Sequence, residues 1–252
     1  MKNDNSEICI FLDDGGVMNN DQIRGKQWQK LIGKYFSPKF GGKPDMWGIA
    51  NKRFITEYMN NYREKISKNI ELPYSEIYES YIEEWINSMF DSVGIDRPKR
   101  EKYREIYYNT IHFIVPKLSS DYPGVTSSIE KLYNKNYTLC TASGSESLIL
   151  KLCLDTMGVK SFFTEFFGPD LVNISKRNNN FYEAIFKKMG IKPNYAIVVD
   201  DQPFCLNNAR KTGTHVVQAC LTGEYSPQFP DYITDIKFLP EKIEKIIEEI
   251  KI

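Results

Sequence analysis

No two of the five cysteines in this 252-residue chain are spaced as C-x-x-C; Cys9, Cys140, Cys153, Cys205 and Cys220 are scattered. That argues against a zinc knuckle or a disulfide framework and leaves reduced, mostly buried thiols as the expectation. Histidine is nearly absent. His112 and His215 lie far apart without ligand spacing, so neither a histidine-based metal site nor a Ser-His-Asp hydrolase is expected. Any catalysis then falls to carboxylates. Net charge is missing too, because 33 Lys and Arg balance 33 Asp and Glu. No field of one sign draws the chain toward nucleic acid or an acidic membrane, and a small uncharged or locally neutralised substrate fits better than a polyanion. Long apolar runs are lacking as well. The start, Met1 to Glu7, is polar, and the run Ile8 to Leu12 that follows is too short for a signal h-region or a membrane span. A soluble, cytoplasmic protein is the expectation.

What is present is a repeated strand pattern. Ile8 to Leu12 (ICIFL) is a continuous apolar run stopped by Asp13, as expected of a parallel strand buried on both faces. Tyr137 to Cys140 runs into Thr141, and Tyr195 to Val199 runs into Asp200 and Asp201. Helical patterns separate these strands: Thr126 to Asn134, the Phe181, Ile185, Met189 series stopped by Gly190, and a last helix from Pro240. Strand and helix alternating in this way predict a doubly wound, Rossmann-like parallel sheet, with ligands outside the carboxyl ends of its strands. Between about Asp21 and Ser119 the texture changes to long amphipathic segments, such as Ile77, Tyr81, Trp85 and Met89. The organisation expected is thus an α/β core from residues 1–20 and 120–252, with an all-helical insertion over 21–119. Trp28, Trp47 and Trp85 all lie in the insertion, where packing into a core is preferred over lining a pocket. The mixed run Arg97 to Glu105 reads as a solvated helix face and not as a nucleic-acid surface.

Four short pieces carry chemistry. Asp13-Asp14-Gly15-Gly16-Val17-Met18 follows the first strand; its glycines permit backbone N–H groups to close on an anion, and the same residues equally mark a plain turn. Thr141-Ala142-Ser143-Gly144-Ser145-Glu146 ends the second strand. Its Ser143 to Glu146 spacing is a capping box, so Ser143 reads as an N-cap, whereas Thr141 at the strand tip suits a phosphoryl oxygen. Lys176 precedes the Phe181 helix and either supplies positive charge to a site or is a solvated surface cation. Asp200 and Asp201 are adjacent carboxylates that repel each other unless a cation neutralises them.

Taken in order, these pieces resemble the signature of the haloacid dehalogenase (HAD) superfamily: a strand followed by Asp-x-Asp-Gly-Thr/Val, a strand ending in Thr or Ser, a Lys before a helix, and a strand ending in acidic residues. Tyr122-Pro123-Gly124-Val125 also looks like the family's turn from cap back to core. The resemblance implies a helical cap domain inserted between the first two motifs. It further implies catalytic roles for Asp13 as nucleophile, Thr141 and Lys176, and substrate contacts from Gly15, Gly16, Thr141, Ala142 and Lys176. A Mg²⁺ ion would be held by Asp13, Gly15, Asp200 and Asp201. The implied activity is hydrolysis of a small phosphorylated metabolite through an aspartyl-phosphate.

Gly15 departs from the pattern, since phosphatases of the family usually carry a second Asp there as general acid/base. The alternative register, with Asp14 as that second Asp, would put Leu12 at the nucleophile position. Cys205 also stands where many relatives have an acidic or amide residue. A dehalogenase-type hydrolase, whose halide leaves without a proton, and a catalytically impaired binding protein are the competing readings. Neither the substrate nor the oligomeric state follows from the sequence.

Overall fold

The computed structural model describes residues 7–69 and 71–250. The strands are β1 Cys9–Leu12, β2 Thr138–Ala142, β3 Phe163–Phe167, β4 Ala196–Asp200, β5 His215–Ala219 and β6 Tyr232–Ile233. The helices are, in chain order, α1 Asp21–Phe40, α2 Pro44–Asn69, α3 Tyr74–Val93, α4 Tyr103–Ile114, α5 Val125–Asn134, α6 Ser147–Thr156, α7 Pro169–Val172, α8 Phe181–Met189, α9 Pro203–Arg210 and α10 Leu239–Ile250. None of them is long and apolar enough to cross a membrane. Two compact units result, one of residues up to Asp21 with those from Ser120 onward, the other Gln22–Ser119.

In the first unit all six strands form one parallel sheet in the order β3-β2-β1-β4-β5-β6. Side chains alternate across β1, which places Ile10 and Leu12 among Ile129 and Leu132 of α5 and Ile243 and Ile247 of α10. Cys9 and Phe11 take the other face, with Ile185 and Phe186 of α8 and Leu206 of α9. Helices thus cover both faces, the condition under which a strand is a continuous apolar run. Each such fully buried side chain contributes about 1.5–3 kcal/mol relative to an exposed one. Because β1 pairs with β2 on one side and β4 on the other, Leu12 stands level with Thr141 and Val199. The three strands therefore deliver the residues that follow to one end of the sheet, at the switch point where open α/β sheets place their ligands.

The doubly wound fold with a helical insertion is as the sequence pattern implies, but β3, β5 and β6 were not legible in it. β3 exposes Thr164 and Glu165 and so breaks the apolar run. β5 carries a polar residue, Gln218, buried because its amide donates to Ser226 O and accepts from Gln228 N. The second strand also extends past its expected end, so Thr141 lies inside β2.

The second unit is helical, and its core is aromatic. Phe36 sits 4.9 Å from Trp47 and Trp47 sits 5.0 Å from Phe90, centroid to centroid. Trp47 and Trp85 are buried, their indole N–H groups donating to Gly41 O and Asn51 Oδ1; both are core residues, while Trp28 is half-buried. Four cations of the 97–105 segment meet a carboxylate: Arg97 with Asp91, Arg100 with Glu83, Lys102 with Glu105 and Arg104 with Glu79.

Within the first unit, segments 18–20 and 120–122 run antiparallel, with Asn20 N donating to Ser120 O and Tyr122 N to Met18 O. A buried side-chain relay ties them together. Ser120 Oγ donates to Asn19 Oδ1 at 2.9 Å, and Asn19 Nδ2 donates to Asp14 Oδ1 at 2.7 Å. Asn19→Ala removes one hydrogen bond from each of Asp14 and Ser120, and the expected cost is ~1–3 kcal/mol, read as a lower urea midpoint at unchanged m-value; an unaltered midpoint would refute the relay.

Candidate active site

Asp13 is the first residue beyond β1, and its amide still donates to Val199 O across the sheet. That anchor aims its side chain, only 5% exposed, at the groups arriving from β2 and β4. Oδ1 accepts from the Asp14 amide at 2.7 Å, and Oδ2 accepts from Lys176 Nζ at 2.7 Å. The same ammonium reaches Asp200 Oδ2 at 2.7 Å. Asp200, the last residue of β4, is fully buried; its Oδ1 takes the Gln202 amide, and its Oδ2 lies 3.4 Å from the Tyr182 hydroxyl on α8. A tight polar turn delivers the lysine: Asn178 N donates to Ser175 O, and Asn178 Oδ1 accepts from Asn180 N just ahead of α8.

Asp201 completes the cluster. One carboxylate oxygen each from Asp13, Asp200 and Asp201 fall within 4.8 Å of one another. Asp201 Oδ1 is buried and has no hydrogen-bond partner, and its carboxylate lies directly over Gly16, where a Cβ would meet Asp201 Cγ at 2.4 Å. Gly16 has φ of 75°, so the position excludes a side chain on conformational grounds as well. Three carboxylates face one ammonium, and the imbalance is visible in their acidity. Burial, only partly offset by Lys176 and compounded by Asp200, pushes Asp13 up to about 7. Burial, with Asp200 and Asp13 nearby, pushes Asp201 up to about 8. Lys176 is driven the other way from what burial alone would do: Asp13 and Asp200 outweigh desolvation and raise it. An oxygen-only donor set with an orphaned buried carboxylate oxygen fits a hard divalent cation such as Mg²⁺.

The structure thus brings Asp13, Lys176, Asp200 and Asp201 together. It rearranges the rest. Thr141 faces the layer of Leu12 and Leu139, the opposite side of the sheet from Phe11, and its hydroxyl donates to Phe167 O. The hydroxyl that reaches Asp13 belongs to Ser143, beyond the strand end, where the chain has turned and Ser143 N is held by Phe167 O. Strand alternation fixes Thr141 on the far face once β2 runs on to Ala142, whereas Ser143, of the same parity, escapes that constraint only because it lies beyond the strand. Nor is Ser143 a helix cap. α6 begins at Ser147, whose amide and hydroxyl both donate to Asp170, at 2.9 and 2.5 Å. The Gly16 amide, expected to bind substrate, instead donates to Asn19 O at 2.9 Å. Ala142 packs its side chain in the core against Phe167 and Phe181. Asp14 turns away from Asp13 into the Asn19 relay, and Gly15, half-buried, pairs with Asn19 in an isolated bridge. Cys205 is buried beneath the cluster. The sequence signal for Ser143 was its place directly after an apolar strand, which its capping-box spacing obscured.

Gly16→Ala drives a methyl group into Asp201 from a left-handed backbone, and a loss of ~1–3 kcal/mol is expected in chemical denaturation; wild-type stability would contradict the packing described. The raised carboxyls set a pH signature. Each binds its proton more tightly folded than unfolded, so its contribution is present below the unfolded value of 3.8 and is lost as pH rises through about 7 and about 8. In chelating buffer the Tm is expected to fall from about pH 6 to about pH 9, and saturating Mg²⁺ is expected to flatten that fall. A Tm that rises over this window in scanning fluorimetry would contradict the assignment.

Residues 45–219 match the haloacid dehalogenase-like hydrolase family, well over half of the chain. No curated protein matches it by sequence. Among solved structures, a 2-haloacid dehalogenase from Pseudomonas syringae pv. Tomato DC3000 aligns with a TM-score of 0.64 at 14% identity, covering 94% of this chain and 98% of that one. A HAD phosphatase from Thermococcus onnurineus aligns with a TM-score of 0.60 at 19% identity, covering 94% and 97%. A HAD-hydrolase from Bacillus subtilis described as bound to magnesium gives a TM-score of 0.64 at 11% identity, covering 98% and 100%. Identities this low speak to the fold and not to the reaction. Fold, motif order and family match agree: the chain belongs to the haloacid dehalogenase-like hydrolase family.

Proposed function

We propose that this hydrolase is a magnesium-dependent phosphatase acting on a small phosphorylated metabolite, with Asp13 as nucleophile. The observation that carries the reading is Asp201 Oδ1, buried without a partner beside Asp13 and Asp200, because displacement of phosphorus profits from a divalent cation and displacement of halide from carbon does not. Asp13, Asp200, Asp201 and the Gly15 carbonyl would hold the ion, which would supply positive charge against the phosphoryl oxygens. An Asp13 oxygen bonds to phosphorus as the bond to the leaving oxygen breaks, and the electron pair departs with that oxygen. Water then attacks phosphorus in the aspartyl-phosphate, releases inorganic phosphate and restores the carboxylate.

Lys176 has two tasks in this scheme. Its ammonium fixes the Asp13 side chain against Asp200, and it offsets charge on the phosphoryl group. Ser143, already on the Asp13 carboxylate, takes the hydroxyl role that the sequence pattern assigned to Thr141. A second reading, dehalogenation, is favoured by one observation: Gly15 offers no acid, and a halide needs none.

The test is release of inorganic phosphate from 4-nitrophenyl phosphate and a panel of phosphorylated metabolites, with Mg²⁺ and with chelator, beside chloride release from 2-chloropropionate. Expected are Mg²⁺-dependent phosphate release and a loss of ~10³-fold or more in Asp13→Asn. Equal activity of Asp13→Asn would reject the nucleophile, and metal-independent chloride release would establish the second reading.

A further inference from the structure

The phosphatase reading leaves open how the departing group leaves, and the loop after β1 bears on it. From Ile8 to Asn19 every residue is buried except Gly15. The loop's one partly exposed residue, two beyond Asp13, therefore carries no side chain. The proton carriers that face Asp13 or Asp200 in this unit are each committed elsewhere. Asp14 is fully buried and accepts from Asn19 Nδ2. The Lys176 ammonium is shared between two carboxylates, and the Ser143 hydroxyl is turned to Asp13. Tyr182 is fully buried with its hydroxyl toward Asp200, and Cys205 is 2% exposed. Asp200 and Asp201 belong to the cation cluster.

We infer that the leaving oxygen departs unprotonated, so the substrate carries its phosphoryl group on an oxygen that is already a weak base: a mixed carboxylic–phosphoric anhydride or a phosphoric anhydride, and not an alkyl phosphomonoester. The inference rests on the phosphatase reading. The balance is complete without an acid. The Asp13–phosphorus bond forms, the phosphorus–oxygen bond of the anhydride breaks, and its electron pair leaves on a carboxylate or phosphate anion that is stable in water. With an alkyl ester the same step would expel an alkoxide, and a missing general acid then costs ~10²–10⁴-fold in rate.

The experiment is a leaving-group series with the full-length protein and Mg²⁺: 2,4-dinitrophenyl, 4-nitrophenyl and phenyl phosphate, in order of increasingly basic leaving group. The quantity read is kcat/KM, which reports the step up to departure and is not masked by slow hydrolysis of the intermediate. A fall of ~10²-fold or more from the first to the last supports the inference, and a smaller fall overturns it. Gly15→Asp is expected to raise the phenyl-to-dinitrophenyl ratio by ~10²-fold. An unchanged ratio in the folded variant counts against the inference, and if the variant does not fold the wild-type series decides alone. Acetyl phosphate and pyrophosphate, run beside glycerol 3-phosphate, distinguish the two anhydride classes; turnover of glycerol 3-phosphate above both overturns the substrate class. Phosphate release from none of these compounds would instead reject the phosphatase reading itself.

Discussion

A single buried ammonium shared by two carboxylates organises the end of this sheet. Lys176 lies 2.7 Å from both Asp13 and Asp200, and those two residues come from adjacent parallel strands whose tips stand level. Removing a lysine from water is costly, and the attraction of two close carboxylates offsets that cost only where geometry is good and the remaining lone pairs are satisfied. Here they are: backbone amides of Asp14 and Gln202 take the other oxygens of the pair. The clamp also fixes which way Asp13 points, so its orientation is a property of the folded chain before any ligand arrives.

The third carboxylate is left half-satisfied by the protein itself. Asp201 presses on Gly16 and leaves Oδ1 buried without a partner, which is why burial and its acidic neighbours hold its proton so firmly. Such an arrangement is a poor way to stabilise a fold and a good way to favour a divalent cation, since the cation removes the repulsion that folding created. Stability and ligand affinity are thus coupled at one point. The Asp14–Asn19–Ser120 relay plays the opposite part, using a fully partnered buried carboxylate to hold the loop in shape.

The family scaffold serves both phosphorus and carbon chemistry among the aligned structures, so the fold does not choose the reaction. On the reading proposed above, the choice rests on a few atoms around Asp13: a lysine, a pair of acids at the end of β4, a hydroxyl after β2, and whatever stands two residues beyond Asp13. In this chain the first three are present, and the fourth position is a partly exposed glycine, Gly15.

The fold class was legible because ICIFL and YAIVV are short, β-branched-rich runs of the kind that strands covered on both faces carry, and because helical periodicity lies between them. β3 and β5 escaped notice, since exposed Thr164 and Glu165 and buried Gln218 interrupt their patterns for tertiary reasons. Asp13, Lys176, Asp200 and Asp201 could be named from their order and their neighbours, because strand ends and acidic pairs are local features. Thr141 and Ser143 could not be told apart, because which of them lies beyond the end of β2, free of the strand's alternation, depends on where the strand stops. Whether Lys176 was a surface charge or a buried clamp was likewise undetermined along the chain. The sequence by itself determined the kinds of group available and their order; only the packed sheet decided which of them meet, because distances across strands depend on pairing and register and not on separation along the chain.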